Sequence, residues 1–195
     1  RLAFAGLEPG RRYALAPELT TARAEGTGWL LDGAKCVVIG AAQAHTLVVS
    51  ARTPAGASLF IVDAAAPGVT LNPCRTVDGQ RSADIRFDGV RLGADALLGS
   101  AGSALPHIEE ATDFATALLC ADAIGAMRYA NEATLEYTRT RKQFGTAIAS
   151  FQVLQHRMVE MLISFEQARS MAILAAAKVD AGGDAGGDAR ERGRA

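Results

Sequence analysis

The chain has 195 residues, of which 49% are hydrophobic and 21% charged, a balance typical of a globular protein and not of a disordered one. Its 20 Lys and Arg nearly cancel its 21 Asp and Glu, so the formal net charge of -1 offers no positive field for nucleic acid or an anionic membrane. Cys36, Cys74 and Cys120 are odd in number and far apart, which argues against a disulfide framework and against a zinc site. A reducing, cytoplasmic location is therefore expected.

The first half of the chain has the pattern of β-structure. From Leu2 to about Leu98, short apolar runs are separated by turn dipeptides such as those at residues 9–10 and 88–89. Residues 47–49 and 59–62 are predicted to form buried strands. The clearest hairpin is predicted between residues 29–31 and 34–39, with Asp32-Gly33 as its two-residue turn.

After Gly99 the apolar period changes from two to about 3.6 residues, which predicts a long helix to about Arg139 with Gly145 as its C-terminal stop. A second helix is predicted from Ser150, as N-cap, to about Val179. Its apolar stripe consists of Phe151, Leu154, Met158, Met161, Phe165, Ala168 and Ala172. The short link between the helices predicts an antiparallel pair.

These patterns predict an α+β fold. Residues 1–99 are expected to form an antiparallel, β-barrel-like domain, and residues 100–180 two long antiparallel helices of an incomplete helical bundle. Residues 181–195, with two Gly-Gly pairs, are predicted to be a flexible tail. The chain does not begin with Met and shows no signal peptide or membrane span. Because one partner helix cannot cover the apolar surface of each long helix, we expect the chain to be a piece of a longer protein.

Two motifs carry a resemblance to a known family. Residues 137–145, Tyr-Thr-Arg-Thr-Arg-Lys-Gln-Phe-Gly, followed by Phe151-Gln152, resemble the acyl-CoA dehydrogenase signature, in which an Arg-x-x-Phe-Gly turn lies between two long helices. Residues 28–35, Gly-Trp-Leu-Leu-Asp-Gly-Ala-Lys, resemble the hairpin of that family's middle domain, and Glu8-Pro9 stands where that domain begins. The resemblance covers nearly the whole chain except the tail. It implies the middle β-domain followed by the start of the C-terminal helical domain.

The resemblance also implies an activity in fatty acid metabolism. Such an enzyme uses FAD to remove a proton from the acyl α-carbon and a hydride from the β-carbon of an acyl-CoA thioester, which gives a 2-enoyl-CoA. The implied electron acceptor is an electron-transferring flavoprotein, and the implied assembly is a homo- or hetero-oligomer, either a dimer or a tetramer.

The same resemblance assigns the candidate site residues. It implies that FAD is bound by Arg141, Gln143, Phe144 and Gln152, and that Asp113 lies near the substrate. Simpler interpretations remain open at this point. Arg141 can interact with a helix dipole, Gln152 can be an exposed residue at a helix start, Phe144 can be a buried aromatic, and Asp113 can be a solvated helix residue.

Three departures from the family pattern bear on catalysis. The base used by a minority of the family falls at Ala115, and the base of the majority lies beyond Ala195, so no catalytic residue is assigned; no metal site is assigned either. Leu7 replaces a threonine, and residues 37–39, Val-Val-Ile, replace an aromatic-x-Thr contact to the flavin. These losses of hydroxyl groups support an alternative: a non-catalytic partner subunit of a heteromeric acyl-CoA dehydrogenase that completes a shared FAD site.

Overall fold

The computed structural model describes residues 1–181, in which ten strands and two long helices follow one another along the chain. The strands are β1 (Leu2–Ala5), β2 (Thr21–Glu25), β3 (Gly28–Ile39), β4 (Thr46–Thr53), β5 (Gly56–Asp63), β6 (Val69–Arg75), β7 (Arg81–Leu92), β8 (Leu97–Leu98), β9 (Lys142–Gln143) and β10 (Thr146–Ala147). The helices are α1 (Leu105–Thr140) and α2 (Gln152–Asp180).

Eight strands form one sheet in which the order β6-β7-β3-β2-β4-β5-β8 is joined by β1 at β4. Most pairings are antiparallel, but β1 and β2 each pair with β4 in parallel. Among the described strands no pairing of β6 with β8 closes the sheet. The predicted α+β class is thus confirmed, with the refinement that the sheet is mixed and open and does not form a closed barrel.

The hairpin predicted at Asp32-Gly33 is wrong. Strand β3 continues through both residues, and the turn lies earlier, at residues 26–27, because Glu25 pairs with Gly28. The Asp32 carboxylate instead accepts a hydrogen bond of 2.7 Å from the backbone N–H of Gly89. Gly33 has a φ of 141°, and a Cβ atom there would lie 2.5 Å from the Cα of Thr20. Gly33 therefore allows two segments of the chain to approach closely and does not form a turn.

The core of the sheet is built by side chains that alternate between a buried and a less buried face along the strands. The runs 47–49 and 59–62 are strands, as predicted, in β4 and β5. Only residues 47, 49, 60 and 62 are buried, and Ile61 is 43% exposed, so one face of each run is buried and not the whole run. Trp29 packs edge-on against Phe60 with ring centroids 5.3 Å apart. Such an aromatic pair contributes about 0.5 to 1.5 kcal/mol beyond the area that it buries.

Both predicted helices are present, but their first or last residues differ from the prediction. α1 ends at Thr140, and Gly145 belongs to the connection between the helices and does not stop α1. α2 begins after Phe151, which makes no side-chain capping bond, while the Ser150 hydroxyl donates to the carbonyl of Ala147. Ser150 is therefore not the N-cap.

The two helices form the expected antiparallel pair. The Asn131 amide approaches the carbonyl of Met161 at 3.5 Å, and the Thr138 hydroxyl lies 3.4 Å from the Met158 sulfur. Every residue of the stripe predicted on α2 is half-buried. On α1, by contrast, Phe114 is 54% exposed, so residues 1–181 leave part of the apolar surface of this helix uncovered.

The chain separates into two compact units, Arg1–Glu110 and the residues from Ala111 onward. The domain limits at residues 99 and 180 stay predictions, and the predicted flexible tail lies outside the described residues except for Ala181. Within residues 1–181, no helix is both long and apolar enough to cross a membrane. The same residues contain no group of three His, Cys, Asp or Glu side chains that could hold a metal ion.

Replacing Gly33 by Ala should destabilise the N-terminal unit by about 3 kcal/mol, because the new methyl group meets the Thr20 backbone and the φ angle disfavours a side chain. The matched control is Gly125→Ala in α1, where nothing lies within 4 Å of the new Cβ and a gain of about 0.5 to 1 kcal/mol is expected. Urea titration followed by the fluorescence of Trp29, the single tryptophan, and by helical circular dichroism measures both. Equal unfolding midpoints for Gly33→Ala and the wild type would contradict this account.

Candidate functional site

Arg141 is the first residue after α1, and its backbone is fixed on both sides. Its N–H donates to the carbonyl of Tyr137 at 2.8 Å, and its carbonyl accepts from the N–H of Ile148 at 2.9 Å. The side chain is exposed, and no ion pair or hydrogen bond to its guanidinium is found within residues 1–181. The backbone of Arg141 is thus fixed, and the five N–H donors of its exposed side chain are available to an anionic group.

A tight hairpin follows Arg141. Strands β9 and β10 pair at Gln143 and Thr146, which leaves Phe144 and Gly145 as the two turn residues with φ angles of 53° and 81°. Positive φ at both positions is the requirement of a type I′ turn, which usually selects Asn, Asp or Gly. A phenylalanine in this conformation is unusual and costs on the order of 1 kcal/mol or more.

The Phe144 side chain is 92% exposed, which contradicts the interpretation of a buried aromatic. Its ring meets the ring of Phe151 edge-on, with centroids 6.2 Å apart. The molecule therefore keeps a large apolar side chain in water on a strained turn. Such strain is commonly found at ligand-binding sites, where the exposed group gains a partner.

Four of the five predicted site residues lie in the connection between α1 and α2 or at its border with α2. Gln143 lies in β9 and is exposed, and Gln152 is the exposed first residue of α2. Asp113 is half-buried on α1, and the 27 residues from there to Thr140 correspond to about 40 Å of helix. Asp113 thus lies far along the helix from Arg141.

The loop at Glu8 is held by a buried polar network. The Glu8 carboxylate accepts hydrogen bonds of 2.7 to 2.9 Å from the backbone N–H groups of residues 18, 19 and 20. The Lys35 ammonium lies 3.0 Å from the same carboxylate and also donates to the Gly6 carbonyl and the Ser50 hydroxyl. The network ties the segment from Gly6 to Thr20 onto strands β3 and β4.

The electrostatics of this network follow from its donors. Burial raises the pKa of the Glu8 carboxyl, but the three backbone donors and Lys35 outweigh it and hold the pKa at about 2, below the ordinary 4.5. Burial lowers the pKa of the Lys35 ammonium below its ordinary value, and the Glu8 charge only partly offsets this. Both charged groups are almost inaccessible to solvent, so each depends on the other for its charge to be tolerated.

Sequence reasoning noted Glu8 and Lys35 in separate motifs but did not pair them, because 27 residues separate them. It also did not anticipate that Val37, at one of the family's flavin positions, has a φ of 50°. A single β-branched residue in a strand sequence carries no local signal of a left-handed conformation. A lysine within an otherwise apolar strand was the available hint of a buried partner.

Acidification should remove the stability that Glu8 supplies. Because the pKa of Glu8 is lowered in the folded state, the contribution is complete above about pH 4.5 and is lost as the pH falls toward 2. The difference between a pKa of 4.5 and one of about 2 corresponds to about 3 kcal/mol. Glu8→Gln should lose on the order of 3 to 5 kcal/mol at pH 7, since Lys35 then stays buried without its partner, and should flatten the acid dependence.

Glu25→Gln is the control for this experiment, since Glu25 pairs with Arg91 at 3.6 Å at the surface and its loss should cost less than about 1 kcal/mol. Denaturant titrations of all three proteins between pH 2 and 7 supply the measurement. Parallel pH profiles for the wild type and Glu8→Gln would rule out the assigned role.

Two family models match the chain, one after the other. Residues 3–90 match the acyl-CoA dehydrogenase middle domain, and residues 105–191 match the acyl-CoA dehydrogenase C-terminal domain. The acyl-CoA dehydrogenase fadE12 of Mycobacterium bovis is 32% identical over 193 residues, which are 95% of this chain and 50% of that protein. The chain therefore spans about half the length of the relatives that it matches.

Solved structures agree with the family models. A structure described as an FAD-dependent dehydrogenase is 27% identical and superposes with a TM-score of 0.86, over 94% of this chain and 51% of its own. Another, described as the electron transferring flavoprotein of Acidaminococcus fermentans, is 28% identical with a TM-score of 0.82, over 92% of this chain and 50% of its own. The two domain models, the relative and the shared fold together show that this chain belongs to the acyl-CoA dehydrogenase family.

Proposed function

We propose that this chain is part of a subunit of an FAD-dependent acyl-CoA dehydrogenase, which converts an acyl-CoA thioester into a 2-enoyl-CoA. The observation that carries the proposal is the connection between α1 and α2. There Arg141, whose guanidinium has no ion pair among residues 1–181, is followed three residues later by the strained, exposed Phe144. An exposed cation and an exposed aromatic side chain in one short connection suit a ligand that has both phosphate groups and flat rings.

The residues of the connection fit FAD in their chemistry. The Arg141 guanidinium would pair with the pyrophosphate or adenine side of the dinucleotide, Phe144 would pack against it, and the Gln143 and Gln152 amides would supply hydrogen bonds. The resemblance to the family implies that this FAD belongs to a neighbouring subunit. FAD, when bound, supplies the hydride acceptor of the reaction.

Catalysis also needs a base, and none is assigned in this chain. Ala115, at the position that a minority of the family uses, cannot accept a proton. We place Asp113 near the substrate, two residues before that position on the same helix. The carboxylate that removes the α-proton is thus expected from chain outside these 195 residues.

Partners and location complete the proposal. An electron-transferring flavoprotein is the proposed acceptor, which is supported by the similarity to the Acidaminococcus structure of that description. The proposed assembly is a homo- or hetero-oligomer, since Arg141 is assigned to a neighbouring subunit's FAD. A cytoplasmic location is proposed because Cys36, Cys74 and Cys120 are all free thiols.

The alternative of a non-catalytic partner subunit is not favoured by the comparisons. The M. bovis relative is itself named an acyl-CoA dehydrogenase. The missing hydroxyl groups at Leu7 and Ile39 remain a departure that any account of the flavin site has to include.

Replacing Arg141 by Ala in the full-length protein should weaken FAD binding by roughly tenfold to a hundredfold, because a charge-assisted contact contributes on the order of 1.5 to 3 kcal/mol. Lysine should restore only part of the affinity, since it lacks the planar fork of arginine. FAD stoichiometry and thermal stability of both variants measure this. If Arg141 acts only on the helix dipole, Lys will serve as well as Arg and neither variant will change FAD content.

The 195-residue chain by itself should not dehydrogenate any acyl-CoA, since it offers no base. Dye reduction with saturated thioesters of short, medium and long chain tests this, and the full-length protein is the positive control. Turnover by the short chain would show that one of its own residues acts as the base, and Glu109 and Glu110 would then be the first to replace by Gln.

A further inference from the structure

Residues 99–104 connect the sheet of the N-terminal unit to α1, and this segment, the entry loop, is closed on one strand. Just before the loop, β8 pairs with residues 59–60 of β5. At the end of the loop, the Ala104 N–H donates to the carbonyl of Ala57, also in β5, at 3.0 Å. The chain therefore leaves β5 and returns to it before α1 begins.

The middle of the entry loop is held by a buried hydroxyl group. Ser58 is 0% exposed, and its Oγ accepts a hydrogen bond of 2.9 Å from the Gly102 N–H. The Thr53 hydroxyl lies 3.1 Å from the same oxygen and donates to the Gly56 carbonyl at 3.0 Å. The Ser58 proton is directed to Thr53 or to the Gly56 carbonyl, and in either case a lone pair of Ser58 is left for Gly102.

The loop lies so close to the β4–β5 turn that Gly102 has no room for a side chain. Its φ is 82°, and a Cβ atom there would lie 2.2 Å from the carbonyl oxygen of Ala55. On the other side of the contact, Gly56 has a φ of 124°, and its Cβ would lie 3.4 Å from the Gly102 Cα. Glycine at position 102 thus allows the loop to reach Ser58.

The start of α1 depends on where this loop is held. The Ala104 carbonyl accepts a hydrogen bond of 3.0 Å from the Ile108 N–H, so Ala104 stands where a helix N-cap stands, but alanine has no side-chain acceptor. The Ser103 hydroxyl donates to the Ser100 carbonyl at 2.7 Å. The bond from Ala104 to Ala57 therefore fixes the start of the helix from the sheet, and both Ala104 and Ile108 are only 3% exposed.

We propose that the Ser58 hydroxyl and the Ala57 carbonyl form a latch, which fixes where α1 begins, and that the entry loop and the first turn of α1 open together when this latch is lost. Few bonds other than these two tie the loop to the sheet, so local opening of the loop leaves the strands intact. The latch acts within the unit Arg1–Glu110 and does not depend on which reaction the protein performs.

Hydrogen–deuterium exchange of the full-length protein, followed by mass spectrometry, measures this opening. Ser58→Ala removes the acceptor of the Gly102 N–H and should accelerate exchange of residues 99–108 about tenfold, while β4 keeps its rate. Ser103→Ala is the matched control, because it removes an exposed hydroxyl whose partner lies within the loop. Its exchange should stay within about twofold of the wild type.

Gly102→Ala opens the latch by a different route, because the new methyl group meets the Ala55 carbonyl while Ser58 stays in place. It should accelerate the same residues, and it tests the latch even if Ser58→Ala does not fold. The double variant should exchange less than about threefold faster than the faster single variant, since a latch opens only once. Unchanged exchange of residues 99–108 in either single variant, equal acceleration in β4, or additive effects in the double variant would overturn the proposal.

Discussion

The buried ion pair between Glu8 and Lys35 is the interaction that orders the segment between β1 and β2 in the N-terminal unit. Two charges can be buried only if each is matched and its remaining hydrogen-bonding capacity is satisfied. Here the carboxylate takes three backbone N–H donors of residues 18–20, and the ammonium takes the Gly6 carbonyl and the Ser50 hydroxyl. The segment between β1 and β2 has no regular structure of its own. The ion pair therefore supplies the order that a strand or a helix would otherwise give.

Each of the two units also contains a strained residue that its neighbours hold in place. Val37 in the N-terminal unit is held by the Asp84 carboxylate, and Phe144 in the C-terminal unit lies in a two-residue turn between β9 and β10. Both residues are exposed and apolar, which opposes the usual preference for burial. Both also stand at positions that the family resemblance connects with the flavin cofactor. Strain and exposure in the same residue are explained together if a ligand covers it.

Sequence patterns predicted the elements better than their ends. The continuous apolar runs predicted the strands β4 and β5 but not that only one face of each is buried. The period of 3.6 predicted the half-buried stripe of α2, because that period follows directly from helix geometry. The predictions from turn residues were wrong. Asp32-Gly33 fits a hairpin locally, but Gly33 is needed for the close contact with Thr20. Gly145 fits a helix stop locally, but it is a residue of the β9–β10 turn. The motif located the connection between the helices, while the roles of Arg141 and Gln152 in binding FAD stay predictions. The Glu8–Lys35 and Asp84–Val37 contacts cross long stretches of sequence and leave no local pattern.

The most direct test of this account is a structure of the full-length protein determined with FAD. The account predicts that the Arg141 guanidinium lies within hydrogen-bonding distance of the dinucleotide of a neighbouring subunit. An FAD that makes no contact with Arg141, or a fully occupied assembly in which Phe144 remains in solvent, would contradict it.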